Sequence, residues 1–108
     1  MIKPEARMTK TEAREKLEEY RVSIDDLDRR IVELLNERTR VVEDIGRVKR
    51  QAQLPIYEPK REDQVYANIS QASAEGPLTK EAVRRIFERI IDEMRMVQRV
   101  RMETDGEK

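Results

Sequence analysis

Arg38 is the residue whose type and position most suggest chemistry, because it stands in a row of apolar residues. Apolar residues recur every three or four positions on both sides of it, with Leu34 before and Val41 after. An arginine in such a row carries a steep desolvation cost unless an anion meets it. Arg38 therefore indicates either a polar residue that sets helix register or reaches out to water, or a contact to a carboxylate or phosphate.

Other polar residues could share a site with this arginine. Arg21 and Lys49 each follow an apolar residue of the row by one position. Arg61, Glu62 and Gln98 each lie about one helical turn from an apolar position of a later segment. Taken one at a time, each is typical of a solvated helix flank, and an exposed pair such as Arg61 with Glu62 contributes about 0–1 kcal/mol.

The composition excludes several chemistries. The 108 residues include no Cys and no His, which excludes disulfides, thiol nucleophiles, imidazole catalysis and zinc sites built on those residues. The 23 basic and 23 acidic residues give a formal net charge of zero and are interleaved, unlike the basic face of a nucleic-acid binder. No apolar run approaches the roughly 18–20 residues of a membrane span, and residues 1–10 lack the apolar stretch of a signal peptide. We expect a cytoplasmic protein that binds neither nucleic acid nor membranes.

The apolar row predicts one long helix. Thr9 and Glu12 are typical of the capping box that opens a helix, and the row then repeats from Leu17 to Ala52 without a proline. Such a helix has about 40 residues and, at ~1.5 Å per residue, a length of about 60 Å. A compact chain of this size has a radius of gyration of only about 13 Å. The long helix must therefore lie along another copy of the chain or along another protein.

Two further helices are predicted after the long one. Pro59 is typical of the first turn of a short helix, with Glu58 near its cap, and Gly76 is predicted to cap its end. Thr79 then caps a helix of medium length that carries an apolar stripe. With no strand signal, the prediction is an all-α chain. It forms a single domain over residues 1–108, helical over about 9–102, with flexible tails at 1–8 and 103–108.

In combination, these residues resemble the all-α chorismate mutases from Leu17 to about Arg101. Leu34-Leu35-Asn36-Glu37-Arg38 is similar to the family's "LL.ER" segment, and Gly46-Arg47-Val48-Lys49 is similar to its "G..K" segment. Glu58, Arg61 and Glu62 resemble its "D..RE" segment, and Gln98 follows the family's third-helix pattern. No single segment is specific to the family. The resemblance rests on all of these segments occurring together at the family's spacings.

The resemblance implies an enzyme that rearranges chorismate to prephenate, the branch step toward phenylalanine and tyrosine. It implies three-helix chains that intertwine as a homodimer, with two sites that each take residues from both chains, and no cofactor or metal. Carried over by position, Arg21 is supplied by the partner chain. The other substrate-binding residues come from one chain and are Arg38, Lys49, Glu58, Arg61, Glu62 and Gln98.

The residue types suit that reaction, in which a C–O bond breaks while a C–C bond forms. Lys49 and Gln98 are predicted to donate to the ether oxygen, where negative charge develops, and Arg38 completes the predicted catalytic set. Arginines clamp carboxylates at two points, so Arg38, Arg61 and Arg21 are predicted to hold the two substrate carboxylates. The two glutamates of the second helix are predicted to orient the ring hydroxyl and to balance the cations.

Two positions depart from the family pattern, and two other functions stay open. Glu58 stands where the family often has Asp. Met94 stands where the family often has a small polar residue, so Met94 is predicted to line the wall of the site rather than to form a hydrogen bond with the substrate. The alternatives are an isochorismate pyruvate lyase on the same fold, and a regulatory helical domain that senses chorismate or prephenate without significant catalysis. A larger shikimate-pathway enzyme also stays open as a partner.

Overall fold

Three α-helices make up the part of the chain that the structure describes. The structure is a computed structural model, and it describes residues 7–106. Helix α1 spans Lys10–Ala52, α2 spans Pro59–Ser73 and α3 spans Lys80–Gly106, with no strand among these residues. The predicted all-α fold of one long, one short and one medium helix is confirmed. None of the helices in this described range is long and apolar enough to cross a membrane.

Threonine side chains cap the starts of α1 and α3. The Glu12 N–H donates to Thr9 Oγ1 at 3.1 Å, and the Ala82 N–H donates to Thr79 Oγ1 at 3.1 Å. Each bond satisfies a backbone donor of the first helical turn, which has no carbonyl partner within the helix. The caps predicted at both threonines are confirmed.

Helix α2 begins without a side-chain cap and ends before the glycine predicted to cap it. Pro59 occupies its first turn, and Glu58 is the N-cap residue, but the Glu58 side chain makes no capping hydrogen bond. The helix ends with Ala74 as its C-cap in a right-handed conformation, so the prediction that Gly76 caps it is wrong. The Gly76 N–H donates to Ser73 O at 3.2 Å, and the φ of Gly76 is not positive. Because an alanine already turns the chain, the left-handed freedom of glycine is not needed.

The end of α1 has the hydrogen bonds of a Schellman motif. The Leu54 N–H donates to Lys49 O at 2.7 Å, and the Gln53 N–H donates to Arg50 O at 3.2 Å. Gln53 has a φ of 56°, the left-handed conformation that glycine usually supplies at this position. This turn stops the helix and starts the connector of residues 53–58.

The chain divides into two units, with the boundary inside α1 between Glu37 and Arg38. In the first unit the large apolar residues of the row are between 45% and 64% exposed; they are Leu17, Tyr20, Ile24, Leu27, Ile31 and Leu34. In the second unit Val42, Ile91 and Met94 are buried and form the core, and α2 packs against α3.

The predicted single domain and the predicted flexible tails stay predictions. Residues 1–6 and 107–108 lie outside the described residues. Helix α3 continues to Gly106 and so extends past residue 102, where the sequence analysis ended it.

Candidate active site

A pocket of about 630 Å³ opens in the second unit. Its walls come from the end of α1, the connector, α2 and α3, and all of its lining residues lie between Arg38 and Gln98. Apolar side chains such as Val42, Ile45 and Ile91 line much of it. It brings together six of the seven predicted site residues, which are Arg38, Lys49, Glu58, Arg61, Glu62 and Gln98.

Lys49 and Gln98 form a buried polar pair on the pocket wall, each only 8% exposed. Lys49 Nζ donates to Gln98 Oε1 at 3.0 Å and to the Ile56 carbonyl oxygen at 2.8 Å. Glu58 Oε1 lies 4.0 Å from the same ammonium. Because the amide oxygen of Gln98 accepts from Lys49, the NH₂ group is the end of the amide that remains to donate to a ligand.

Gly46 lies where α1 passes next to Gln98 of α3. It is buried one turn before Lys49, and a Cβ built on it would lie 3.6 Å from both Cα and Cγ of Gln98. That distance is ordinary van der Waals contact. There is therefore room for a Cβ at Gly46 beside the Gln98 side chain, whose amide oxygen is held by Lys49.

Arg38 and Arg61 bring two positive charges to the pocket. Neither forms an ion pair within residues 7–106, and Arg61 Nη1 has only a long contact of 3.5 Å to Gln64 Oε1. Burial lowers the pKa of Arg38, and the nearby charge of Arg61 lowers it further. Two like charges that face the same space favour an anion between them, because each is stabilised by the opposite charge.

Arg95 is a pocket residue that the sequence analysis did not find. Its Nε donates to Glu62 Oε2 at 2.9 Å and its Nη2 donates to Glu62 Oε1, while its guanidinium lies 5.2 Å from the centroid of the Tyr57 ring. The hydrogen bond to Glu62 raises the pKa of Arg95, against a lowering by burial. Arg95 is next to the apolar stripe of α3 rather than on it. Its partner is 33 residues away, so helix periodicity gave no signal of the contact.

Met94 lies in the wall of the pocket and is buried. The Thr39 hydroxyl donates to Met94 Sδ at 3.5 Å, a contact between α1 and α3. A thioether has no N–H or O–H to offer a ligand. The position that often carries a small polar residue in the family therefore contributes apolar surface here.

Arg21 belongs to the first unit of the chain. It lies on α1, is exposed, and its Nη1 is 4.0 Å from Glu18 Oε2. It is not among the residues that line the pocket of the second unit. Its predicted role, as a residue supplied by a partner chain, stays a prediction.

The fold and the pocket define a class: a small all-helical domain with a cationic pocket suited to a small organic anion. Residues 20–99 match the family described as chorismate mutase type II. The chain belongs to that family, so the predicted family and the predicted enzyme class, an isomerase, are confirmed.

Individual relatives agree with the family match. The sequence is 32% identical over 89 residues to the chorismate mutase of Methanocaldococcus jannaschii, covering 82% of this chain and 90% of that protein. The structure is similar to that of chorismate mutase (form II) from Thermus thermophilus, with a TM-score of 0.74 and 33% identity. That likeness covers 78% of this chain and 94% of the other.

A longer relative matches over part of its length. The bifunctional chorismate mutase/prephenate dehydratase of Aquifex aeolicus is 39% identical over 80 residues, which is 71% of this chain. This chain spans only 22% of that bifunctional protein.

Proposed function

We propose that the chain catalyses the rearrangement of chorismate to prephenate in aromatic amino acid biosynthesis, as a homodimer. The observation that carries the proposal is the Lys49–Gln98 pair, buried on the wall of a pocket that also contains two arginines with no ion-pair partner in the described range. The reaction is unimolecular and needs a shaped, electrostatically matched pocket rather than a nucleophile. Such a pocket accelerates a reaction by holding reacting atoms together and by stabilising developing charge.

Arg38 and Arg61 would bind the two carboxylates of the substrate. Their guanidinium groups offer paired N–H donors that match a carboxylate in two-point geometry. Burial lowers the pKa of Arg38 and the charge of Arg61 lowers it further, and an anion between the two guanidinium groups would offset both effects. A dianionic substrate would therefore be held with its side chain folded over the ring, which is the arrangement that the new C–C bond requires.

Lys49 and Gln98 would stabilise the ether oxygen as the C–O bond breaks. The ammonium is already fixed by the carbonyl of Ile56 and by the Gln98 oxygen, at 2.8 and 3.0 Å. Donors that are fixed before the reaction need little reorganisation when negative charge develops. The free NH₂ of Gln98 and the Lys49 ammonium would both act at the same oxygen.

Glu58 and Glu62 would orient the ring hydroxyl and balance the cations. The Glu58 carboxylate is 4.0 Å from the Lys49 ammonium and makes no capping bond to α2, so it is available to a ligand. Glu62 pairs with Arg95 and also lines the pocket.

A second chain would complete the site and would supply Arg21. The apolar row of α1 supports this proposal, because Val41, Ile45 and Val48 line the pocket and are still 42–59% exposed. The apolar residues of the first unit are exposed in the same way. Packing these rows against a second copy would bury them and would provide the core that a charge-rich chain lacks.

Two finer points are part of the proposal. Relatives that carry a chorismate mutase and a prephenate dehydratase in one protein support a functional link to a larger enzyme of the pathway. The cytoplasmic location expected from the sequence stays a prediction.

The test of the reaction is the loss of chorismate followed by ultraviolet absorbance, with isochorismate as a second substrate in a parallel assay. We expect prephenate from chorismate and no pyruvate from isochorismate. Pyruvate release alone would identify the lyase, and ligand binding without turnover would identify the regulatory domain. Lys49→Met should remove activity, because a buried ammonium cannot be replaced by an apolar group at the developing charge.

The test of the shared site uses mixed dimers. Arg21→Ala and Arg38→Ala proteins should each be nearly inactive, and refolding an equal mixture should restore about a quarter of the parent activity. That value follows because half of the dimers are mixed and each mixed dimer has one of two sites intact. Arg29→Ala is the matched control, since Arg29 pairs with Asp26 at 3.4 Å on the same unit. Verified mixed dimers without activity would contradict the assignment of Arg21 to the partner chain.

A further inference from the structure

Arg95 grips the carboxylate of Glu62 at two points. Glu62 Oε2 accepts from Nε at 2.9 Å, and Oε1 accepts from Nη2 of the same guanidinium. Two parallel bonds fix the plane of a carboxylate, whereas a single bond leaves it free to rotate. From this geometry we infer that Arg95 is a positioning residue that sets the orientation of Glu62 toward the ligand and offsets its negative charge. The inference rests on the proposed function.

The pair is held in place from three segments of the chain. Glu62 comes from α2 and Arg95 from α3, and the side chains are 19% and 29% exposed. The Arg95 guanidinium also lies 5.2 Å from the ring of Tyr57 in the connector, and its Nη1 is 3.8 Å from Asp92. A cation over an aromatic ring is attracted by the ring's negative face. Arg95 is therefore held by Tyr57 and Asp92 as well as by Glu62.

Glu62 keeps the capacity to bind a ligand while Arg95 holds it. A carboxylate has about four lone-pair positions, and the guanidinium uses two of them. The remaining positions can accept a hydrogen bond from a substrate hydroxyl. Arg95 also neutralises the negative charge of Glu62, which would otherwise repel a substrate with two carboxylates. Although Arg95 also lines the pocket, its effect on the substrate is assigned to its action on Glu62.

A second Arg–Glu pair in the same unit provides a control. Arg101 Nε donates to Glu43 Oε2 at 2.7 Å, and Nη2 of Arg101 lies 2.5 Å from the same oxygen. This pair also joins two helices, α1 and α3, and its side chains are 37% and 25% exposed. Neither residue lines the pocket. Loss of the Arg101–Glu43 pair should reduce stability without changing how substrate binds.

The first experiment compares Arg95→Met with Arg101→Met by steady-state kinetics on chorismate and by urea unfolding. We expect Arg95→Met to raise KM about tenfold or more and to leave kcat within about threefold, because orientation and charge act on bound substrate. Arg101→Met should lower stability and leave KM unchanged. Arg95→Lys keeps the positive charge but cannot form the two parallel hydrogen bonds to Glu62, so its KM should lie between those of the parent and Arg95→Met. It also serves as the test variant if Arg95→Met does not fold.

The second experiment asks whether Arg95 acts through Glu62. In a Glu62→Gln background, adding Arg95→Met should change KM by less than about twofold, because the group that Arg95 positions is already altered. The same factor in both backgrounds would mean direct contact with substrate and would overturn the inference. An unchanged KM in Arg95→Met would overturn it as well.

The two proposals fail in different ways. If the parent enzyme converts chorismate but Arg95→Met keeps the parent KM, only the role of Arg95 is refuted. If the parent does not convert chorismate, the proposed function itself fails, whether or not prephenate binds in a calorimetric titration.

Discussion

Replacing Gln98 by glutamate tests the proposed donor to the ether oxygen with a minimal change of shape. In the structure the Gln98 oxygen accepts from Lys49 Nζ at 3.0 Å, and the NH₂ group remains to donate. In Gln98→Glu one carboxylate oxygen would keep the contact with Lys49. The other oxygen would replace the NH₂ group, so an acceptor would stand where the reaction requires a donor.

The magnitude follows from the loss of one fixed donor at a site of developing negative charge. Such a loss raises the barrier by about 2.7–4 kcal/mol. At about 1.4 kcal/mol for each factor of ten, kcat/KM at pH 7 should fall by about 100- to 1000-fold. Gln98 is buried, so water cannot take over the lost contact without a change in packing.

The variant should recover as the pH falls, since a protonated carboxyl again has an O–H donor. The Lys49 ammonium lowers the pKa of the introduced carboxyl and burial raises it, so the midpoint depends on both. Above that midpoint the protonated fraction rises tenfold for each unit of pH decrease. A plot of log(kcat/KM) against pH should therefore have a slope near −1, down to the floor set by the ionised form. The amide of the parent does not titrate, so the parent profile should be much flatter.

The assay is kcat/KM on chorismate from pH 4.5 to 8, with circular dichroism to verify folding. Gln98→Met is the control, because it removes the donor and has nothing to protonate. It should lose activity at every pH and should not recover in acid. A Gln98→Glu enzyme that equals the parent at neutral pH, or that matches the flat profile of Gln98→Met, would refute the role assigned to Gln98.

Three other predictions concern stability and assembly. Gln53→Gly should raise the free energy of unfolding, measured in urea, by about 1 kcal/mol. Glycine adopts the left-handed conformation at φ 56° without strain, and alanine does not, so Gln53→Ala should give no such gain. Gly46→Ala should stabilise α1 by about 1 kcal/mol and retain activity, because the new Cβ would lie in ordinary contact with Gln98 at 3.6 Å. The larger side chain of Gly46→Leu should displace Gln98 and reduce kcat/KM. Each tenfold dilution should lower the stability of the proposed dimer by about 1.4 kcal/mol and reduce Tm, so a Tm independent of concentration in calorimetry would contradict the dimer.

The sequence predicted the three helices well because their signals are local. The threonine caps at Thr9 and Thr79, the proline at the start of α2 and the apolar rhythm each act within a few residues of chain. Six of the seven predicted site residues line one pocket, and their positions along the helices came from the family resemblance. Periodicity alone singled out Arg38 and left the others as ordinary helix flanks or, for Glu58, as a helix cap.

Three features were not predicted from the sequence, and one of them depends on a contact between segments. Arg95 lies beside the α3 stripe, and only the approach of α2 gives it Glu62 as a partner. The left-handed end of α1 falls on Gln53, a residue type that does not by itself indicate that conformation. The cap of α2 falls on Ala74 rather than on the glycine two residues later. Gln53 and Ala74 are exposed, so these two turns consist of backbone hydrogen bonds rather than packed side chains, and residue type alone does not indicate them.

One partner of Lys49 is a piece of backbone, the carbonyl of Ile56, brought to the ammonium by the turn that ends α1. Every residue type has the same backbone carbonyl, so substitution of the Ile56 side chain leaves this hydrogen bond in place. What the bond requires is a fixed number of residues between the end of α1 and Glu58. Among homologues, the length of the segment equivalent to residues 53–58 should therefore be conserved, without insertions or deletions, while the residue type at Ile56 varies more freely.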